Sequence, residues 1–218
     1  MLVEYTAMAG FHDHLFRCLP PLAPGPLLDI GCGSGAWLSR FPDRERFGID
    51  GDPSKLRASG VTFVRADLDN DPVDLGLRRF ALISAIEVLE HLDSPGRVVA
   101  LAGRYLADDG WLLLSTPNLH SAVARLRWLV KGKPRFFPEP GEPGEPEHVS
   151  GILLPWVRKV LPKYGLQAEK VWGYPDRGTV TARRLTSLAA VALERVVPRG
   201  IGGDTLCVLA RRARTGLA

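Results

Sequence analysis

The stretch Leu27-Leu28-Asp29-Ile30-Gly31-Cys32-Gly33-Ser34-Gly35 decides how this chain is read. A short apolar run carrying one carboxylate breaks into glycines at every second position, and Ala36 to Phe41 then suits a helix. A buried strand that runs into a glycine turn before a helix is the opening unit of a parallel α/β sheet. Gly31, Gly33 and Gly35 leave bare backbone against which a ligand can lie, since a Cβ at any of them would project into that space. The spacing is G-x-G-x-G. A dinucleotide fingerprint, G-x-G-x-x-G, places its third glycine one residue later and seats a pyrophosphate on the helix. Asp29 would repel phosphate at this position and suits a ligand carrying an ammonium and a sulfonium.

Downstream, the same alternation recurs. Apolar runs at Arg46 to Ile49, Val61 to Val64, Phe80 to Ile86 and Trp111 to Ser115 each end in small or acidic residues. Open parallel sheets bind ligands outside the carboxyl ends of their strands, so Asp50, Gly51, Asp67, Leu68, Ala85 and Ile86 fall where chemistry is expected. Upstream, Tyr5 to Leu19 reads as a helix stopped by Pro20-Pro21, a cover over the site. Beyond Asn118 the pattern predicts helices at Ser121 to Val130, Leu154 to Tyr164 and Thr181 to Val197. Strands are expected at Gln167 to Trp172 and Asp204 to Ala210. The repeat Glu139-Pro140-Gly141-Glu142-Pro143-Gly144-Glu145-Pro146-Glu147 excludes regular structure and predicts a mobile loop within 132–150.

With 218 residues, the chain matches one domain of about 100 to 200 residues: a cover segment (1–24), a ligand-binding half (25–118) and a second half (119–218). Its apolar runs fall short of the roughly 18 residues that span a bilayer. Glu4, His12, Asp13 and His14 stand where a signal peptide needs a cationic start and an apolar run. Together with three widely spaced cysteines, they lead us to expect a cytoplasmic protein. The net charge of +4 hides a division. Residues 1–124 hold 11 Lys and Arg against 16 Asp and Glu, whereas residues 125–218 hold 17 against 8. An excess of cations beyond the fifth strand favours an acceptor with negative charge, or one delivered at an anionic surface.

The glycine loop with its preceding acid resembles the first motif of the class I S-adenosylmethionine-dependent methyltransferases. The resemblance continues through Asp50 and Asp67 to Ile86-Glu87-Val88-Leu89-Glu90-His91-Leu92. It ends in Leu106 to Asn118, which is similar to the L-x-x-G-G-x-L-x-x-S-T-P-N segment of the branch containing ubiquinone-pathway O-methyltransferases. Asp109 departs from that pattern, which has glycine there. The resemblance implies a Rossmann-like, doubly wound seven-stranded sheet of order 3-2-1-4-5-7-6, with strand 7 antiparallel. It implies S-adenosylmethionine as cofactor, held by Asp29, Gly31, Cys32, Gly33 and Gly35, with Asp50 on the ribose hydroxyls and Asp67 and Leu68 at the adenine. Ala85 and Ile86 would flank the methionine moiety. In such relatives a triplet like Glu87, Glu90 and His91 can hold a divalent metal with a later His, here His148 or His120. If helical, the three would share one face, yet a structural role for them is the preferred expectation.

The expected reaction is in-line methyl transfer to an oxygen of a small-molecule acceptor. His148 and His120 are the candidate general bases, and Asn118 is the candidate to orient the acceptor. Methylation of an RNA end, prompted by Arg125, Arg127, Lys131, Lys133 and Arg135, remains an alternative, as does a non-catalytic cofactor-binding subunit. The predicted helix around Leu188 to Leu193 is expected to pack on the last two strands, with peripheral contact to a lipid surface or partner subunit as its alternative. Oligomeric state has no signature in these residues.

Overall fold

Strands β1 (Leu27–Ile30), β2 (Arg46–Asp50), β3 (Val61–Arg65), β4 (Phe80–Ile86) and β5 (Leu106–Pro117) run parallel in a computed structural model that describes residues 10–139, 148–175 and 200–213. β7 (Thr205–Arg212) inserts antiparallel between β5 and β6 (Leu166–Tyr174). The order is β3-β2-β1-β4-β5-β7-β6, as the resemblance implied. Strand alternation supplies two cores, one on each face of the sheet. Leu28, Ile30, Ile83, Leu112 and Leu114 pack into one, and Leu27, Leu82, Leu113 and Leu209 into the other.

Helices α1 (Phe11–Cys18), α2 (Gly96–Tyr105), α3 (Ala122–Lys131) and α4 (Leu154–Val160) connect or flank these strands. α3 is bounded by local signals: the Ser121 hydroxyl accepts from Ala124 N–H, and Gly132 ends the helix in the left-handed region at φ 67°. One expected helix and one considered only conditionally do not form. Between Ala36 and Phe41 only a 3-10 turn, Leu38–Arg40, forms, because Pro42 directly behind Phe41 disfavours helical backbone there. The Glu87 to His91 segment is also not an α-helix: Glu87 sits at φ 53° and a single 3-10 turn covers Leu89–His91. Glu87, Glu90 and His91 therefore do not share a helical face.

Tyr5 to Ala9 of the expected cover helix, residues 140–147 of the acidic repeat and the expected helix around Leu188 to Leu193 lie outside the described residues. The flanks of the repeat are anchored. Arg135, buried, pairs with buried Asp204 at 2.5 Å, and Val149 and Ser150 both donate backbone N–H groups to the Glu90 carbonyl at 2.8 and 3.0 Å. No described helix is long and apolar enough to cross a membrane.

Candidate functional site

Two cavities open at the carboxyl ends of β1, β2 and β4 and share Gly31, Gly33, Ser34, Glu87 and His91. The larger, about 1060 Å³, runs over Asp50, Gly51, Asp67 and Leu68. The smaller, about 370 Å³, lies under α1 and takes in Asp29, Cys32, Trp37, Ile86, Glu90 and His148.

The three glycines do different jobs. All have positive φ, but a Cβ on Gly31 would lie 2.4 Å from Val88 Cγ2, and one on Gly35 would lie 2.7 Å from the Ala58 Cβ. Those two permit close packing of the loop on its own protein. Gly33, whose Cβ would meet nothing within 4 Å, faces open space, and Gly31 lines both cavities too, so of the three glycines expected to bare backbone to a ligand only Gly35 is removed. Gly35 lines neither cavity, and Ala85 is likewise buried in the core rather than at the site.

Backbone donors pre-set the larger cavity's acids. Asp50 accepts from Gly33 N–H through Oδ2 at 2.9 Å and from Asp52 N–H through Oδ1 at 3.0 Å, leaving a lone pair on each oxygen for two adjacent hydroxyls. Asp67 accepts from Asn70 Nδ2 and Asp69 N–H, both at 2.9 Å, and these bonds hold its pKa below the ordinary carboxylate value. Lys55 and Arg57, which sequence reasoning missed, also line this cavity. They lie in the loop just past Asp50, where no motif marks them.

The smaller cavity inverts these conditions. Asp29 is buried and accepts from the Ser84 hydroxyl at 2.6 Å, yet desolvation raises its pKa to about 7. Glu87 is raised to about 7 by burial as well, against the opposing bond from Ser115 Oγ at 2.9 Å. Glu90 is fully buried, and among the described residues neither of its carboxylate oxygens has a hydrogen-bond partner in good geometry, the Thr116 hydroxyl giving it only weak relief. Burial and then the nearby Glu87 raise its pKa well above the usual range. His12 of α1, also missed in the sequence, borders this cavity and is held down at about 4 by burial and by Arg40. It is neutral at physiological pH.

His148 is carried to the cavity by the two backbone bonds onto Glu90, so that its ring centroid stands 4.7 Å from that of His91. Its Nδ1 lies 2.6 Å from the Phe136 carbonyl. A carbonyl only accepts, so Nδ1 carries the proton in that contact, which fixes how the ring is turned toward the cavity. Phe136 itself sits at φ 69°, next to the buried Arg135–Asp204 pair. Ligand atoms of Glu90, His91 and His148 lie within 4.8 Å of one another, a spacing at which a divalent ion could be held, and Glu87 is instead committed to Ser115. The two orphaned oxygens of Glu90 and two imidazoles are a chemically fitting donor set for such an ion.

Other candidates serve the framework. His120 accepts the Leu154 N–H through Nε2 at 2.9 Å, a bond that uses the lone pair a base needs, and it lines neither cavity. Burial, then Arg125 and Arg158, lower its pKa. Asn118 is fully buried: its Nδ2 donates to the carbonyls of Ile201, Gly202 and Gly203 at 2.8, 3.1 and 3.0 Å, and its Oδ1 accepts from His120 N–H at 2.9 Å. That amide locks the end of β5 to the turn before β7, with its Nδ2 donors committed, and it lines neither cavity.

Comparison with known proteins agrees with this geometry. Residues 5–141 match a family described as a methyltransferase domain. The chain is 31% identical over 136 residues to trans-aconitate 2-methyltransferase of Methylobacterium nodulans, covering 56% of this chain and 50% of that protein. It is 31% identical over 137 residues to the ubiquinone biosynthesis O-methyltransferase of Nitrobacter winogradskyi, covering 55% and 52%. The chain thus spans about half the length of these curated relatives. Solved structures similar in fold include an S-adenosylmethionine-dependent methyltransferase from Archaeoglobus fulgidus, with a TM-score of 0.63, 15% identity and 92% of each chain covered. Another, from Mesorhizobium loti, has a TM-score of 0.58 and 19% identity, covering 92% of this chain and 96% of that one.

Proposed function

The chain belongs to the class I S-adenosylmethionine-dependent methyltransferases, and on that premise we propose that it transfers the methyl group to an oxygen of a small-molecule acceptor bound in the smaller cavity. One observation carries the reading: the cavity beside Asp29 and Gly31 contains His148 with its Nδ1 proton committed to Phe136. Asp50 and Asp67 hold the adenosine end of the cofactor in the larger cavity, and the acceptor approaches the sulfonium methyl group from beneath α1. His148 would take up the acceptor hydroxyl proton, and S-adenosylmethionine, when bound, would supply the electrophilic methyl carbon and the thioether leaving group. Phe11, Trp37 and neutral His12 exclude water from that approach.

A second reading has its own support in the unpartnered, buried Glu90 carboxyl. Glu90, His91 and His148 would hold a divalent ion, which when bound supplies Lewis acidity at the acceptor oxygen. His148 serves there as a ligand.

Calorimetry with S-adenosylhomocysteine tests the cofactor half of the proposal, and no binding at millimolar ligand would sink it. Incubating a metabolite extract with labelled cofactor should yield a product heavier by one methylene unit. His148→Gln should lower turnover about 100-fold with cofactor affinity unchanged. Chelation by EDTA separates the two readings, since only the second loses activity and recovers it with added Mg²⁺ or Zn²⁺.

A further inference from the structure

Arg135 and Asp204 form a buried ion pair that lines neither cavity: their side chains are 8% and 3% exposed, and Nη1 stands 2.5 Å from Oδ1. Such a pair is weak evidence for stability, because taking two charges out of water costs about as much as their attraction returns. What it fixes is position. Asp204 is itself held at the turn before β7: its N–H donates to the Tyr174 carbonyl at 2.7 Å, and its carbonyl accepts from Asn118 N–H at 2.7 Å. Arg135 ties the segment that follows α3 to this fixed point, and its guanidinium lies 4.4 Å from the centroid of the Phe136 ring. Phe136 sits in the left-handed region at φ 69°, a backbone that a bulky aromatic residue keeps only where its surroundings enforce it. From that backbone the Phe136 carbonyl meets His148 Nδ1 at 2.6 Å. Ring contacts complete the seat: the His148 centroid stands 5.5 Å from that of Phe137 and 4.7 Å from that of His91.

We infer that the Arg135–Asp204 pair is a positioning device for the acceptor site: by locking the backbone at Phe136, it selects the Nδ1–H form of His148 and sets the angle at which that ring meets the smaller cavity. Arg135 and Asp204 touch no reacting atom. They act through Phe136 and His148, and the two charges come from points 69 residues apart in the chain. A pair that is costly to bury and remote from the cavity is suited to this task, since its directional bond fixes one register of the segment against the sheet. The role rests on the reading that His148 works in that cavity, as a base or as a metal ligand, while its spectroscopic signature is measured without turnover.

The test compares the full-length wild type with Arg135→Met, Arg135→Met/Asp204→Val and Arg135→Lys. Nitrogen-15 NMR of labelled protein in EDTA, with the His148 signals assigned by their loss in His148→Gln, reports which ring nitrogen carries the proton. Arg135→Met removes the cation beside buried Asp204 and should lower the melting temperature. The double variant removes both charges and should return the melting temperature to within about 5 °C of wild type. Even so, its His148 should shift from mainly Nδ1–H toward Nε2–H. Label transfer from saturating S-adenosylmethionine to a metabolite extract should fall about tenfold, with the KM for the cofactor within about twofold of wild type. Arg135→Lys keeps the ion pair and should recover the Nδ1–H form and most of the rate. A double variant with the wild-type tautomer overturns the inference. So does one that no longer binds S-adenosylhomocysteine, since the pair would then serve folding alone. If His148→Gln leaves the rate unchanged while the tautomer shifts as stated, the catalytic reading fails and the positioning of the ring stands.

Discussion

The two cavities that meet at Gly31 and Glu87 hold their carboxyl groups in opposite ways. Asp50 and Asp67 are partly or fully exposed and are gripped by backbone and amide donors, so their charge is compensated before any ligand arrives. Asp29 and Glu90 are buried and Glu87 is half-buried, with few donors, and desolvation raises the pKa of all three. The larger cavity is thus a preorganised acceptor of hydrogen bonds. The smaller one stores an electrostatic cost that a cation, a hydroxyl or a metal relieves on binding.

The largest expected effect of breaking this contrast is on cofactor affinity. Asp50→Ala should weaken binding of S-adenosylhomocysteine about 100-fold or more, since two charge-assisted bonds are lost. Glu90→Gln should leave that affinity within about threefold and instead lower turnover about tenfold or more. If calorimetry finds both variants equally impaired, the division of labour between the cavities fails.

Next come the glycines. Gly31→Ala should cost about 2–3 kcal/mol of stability, because its Cβ meets Val88 as well as a left-handed backbone. Gly33→Ala should cost about 1–2 kcal/mol, from its backbone alone, while blocking the cofactor. Denaturant melts alongside calorimetry would show stability and binding separating at these two neighbours.

A smaller effect sharpens the comparison through pH. Asp29 has a folded pKa raised to about 7, so between its unfolded value of 3.8 and that point the folded state binds more protons. Stability from this group therefore falls as pH rises and is fully lost above pH 7. Asp29→Asn should raise the melting temperature near pH 8 and leave it unchanged near pH 3. In wild type, affinity for S-adenosylhomocysteine should increase as pH rises toward 7, because the ligand's ammonium favours the ionised acid. Asp67, whose pKa is lowered, should contribute oppositely: its stabilisation is present at neutral pH and disappears as pH falls through the folded value. A difference in melting temperature between Asp29→Asn and wild type that is the same at pH 3 and pH 8 would remove this distinction.

Much of the cofactor side was legible in the chain. Strand ends were marked by local composition, and Asp29, Asp50 and Asp67 each follow an apolar run whose period and length are local properties. Local composition was less reliable where tertiary packing or proline intervened. Ala36 to Phe41 reads as a helix but is cut to one turn, and Gly35 and Ala85 look like site residues but pack inward.

The acceptor side was only partly legible, because its residues come from distant segments. His12 and Trp37 have no motif linking them, and His148 is brought to Glu90 by backbone bonds from Val149 and Ser150, far along the chain from it. His120 and Asn118 occupy suggestive positions after β5, but their polar atoms are consumed by backbone partners that no spacing rule could reveal. The sequence by itself determined the sheet, its order through resemblance, and the acids Asp29, Asp50 and Asp67 that line the cavities, since strand periodicity and glycine turns act over a few residues. Tertiary structure alone decided which imidazole reaches the cavity and which carboxyls have raised pKa values. Both depend on desolvation and hydrogen-bond partners contributed by chain far away in sequence.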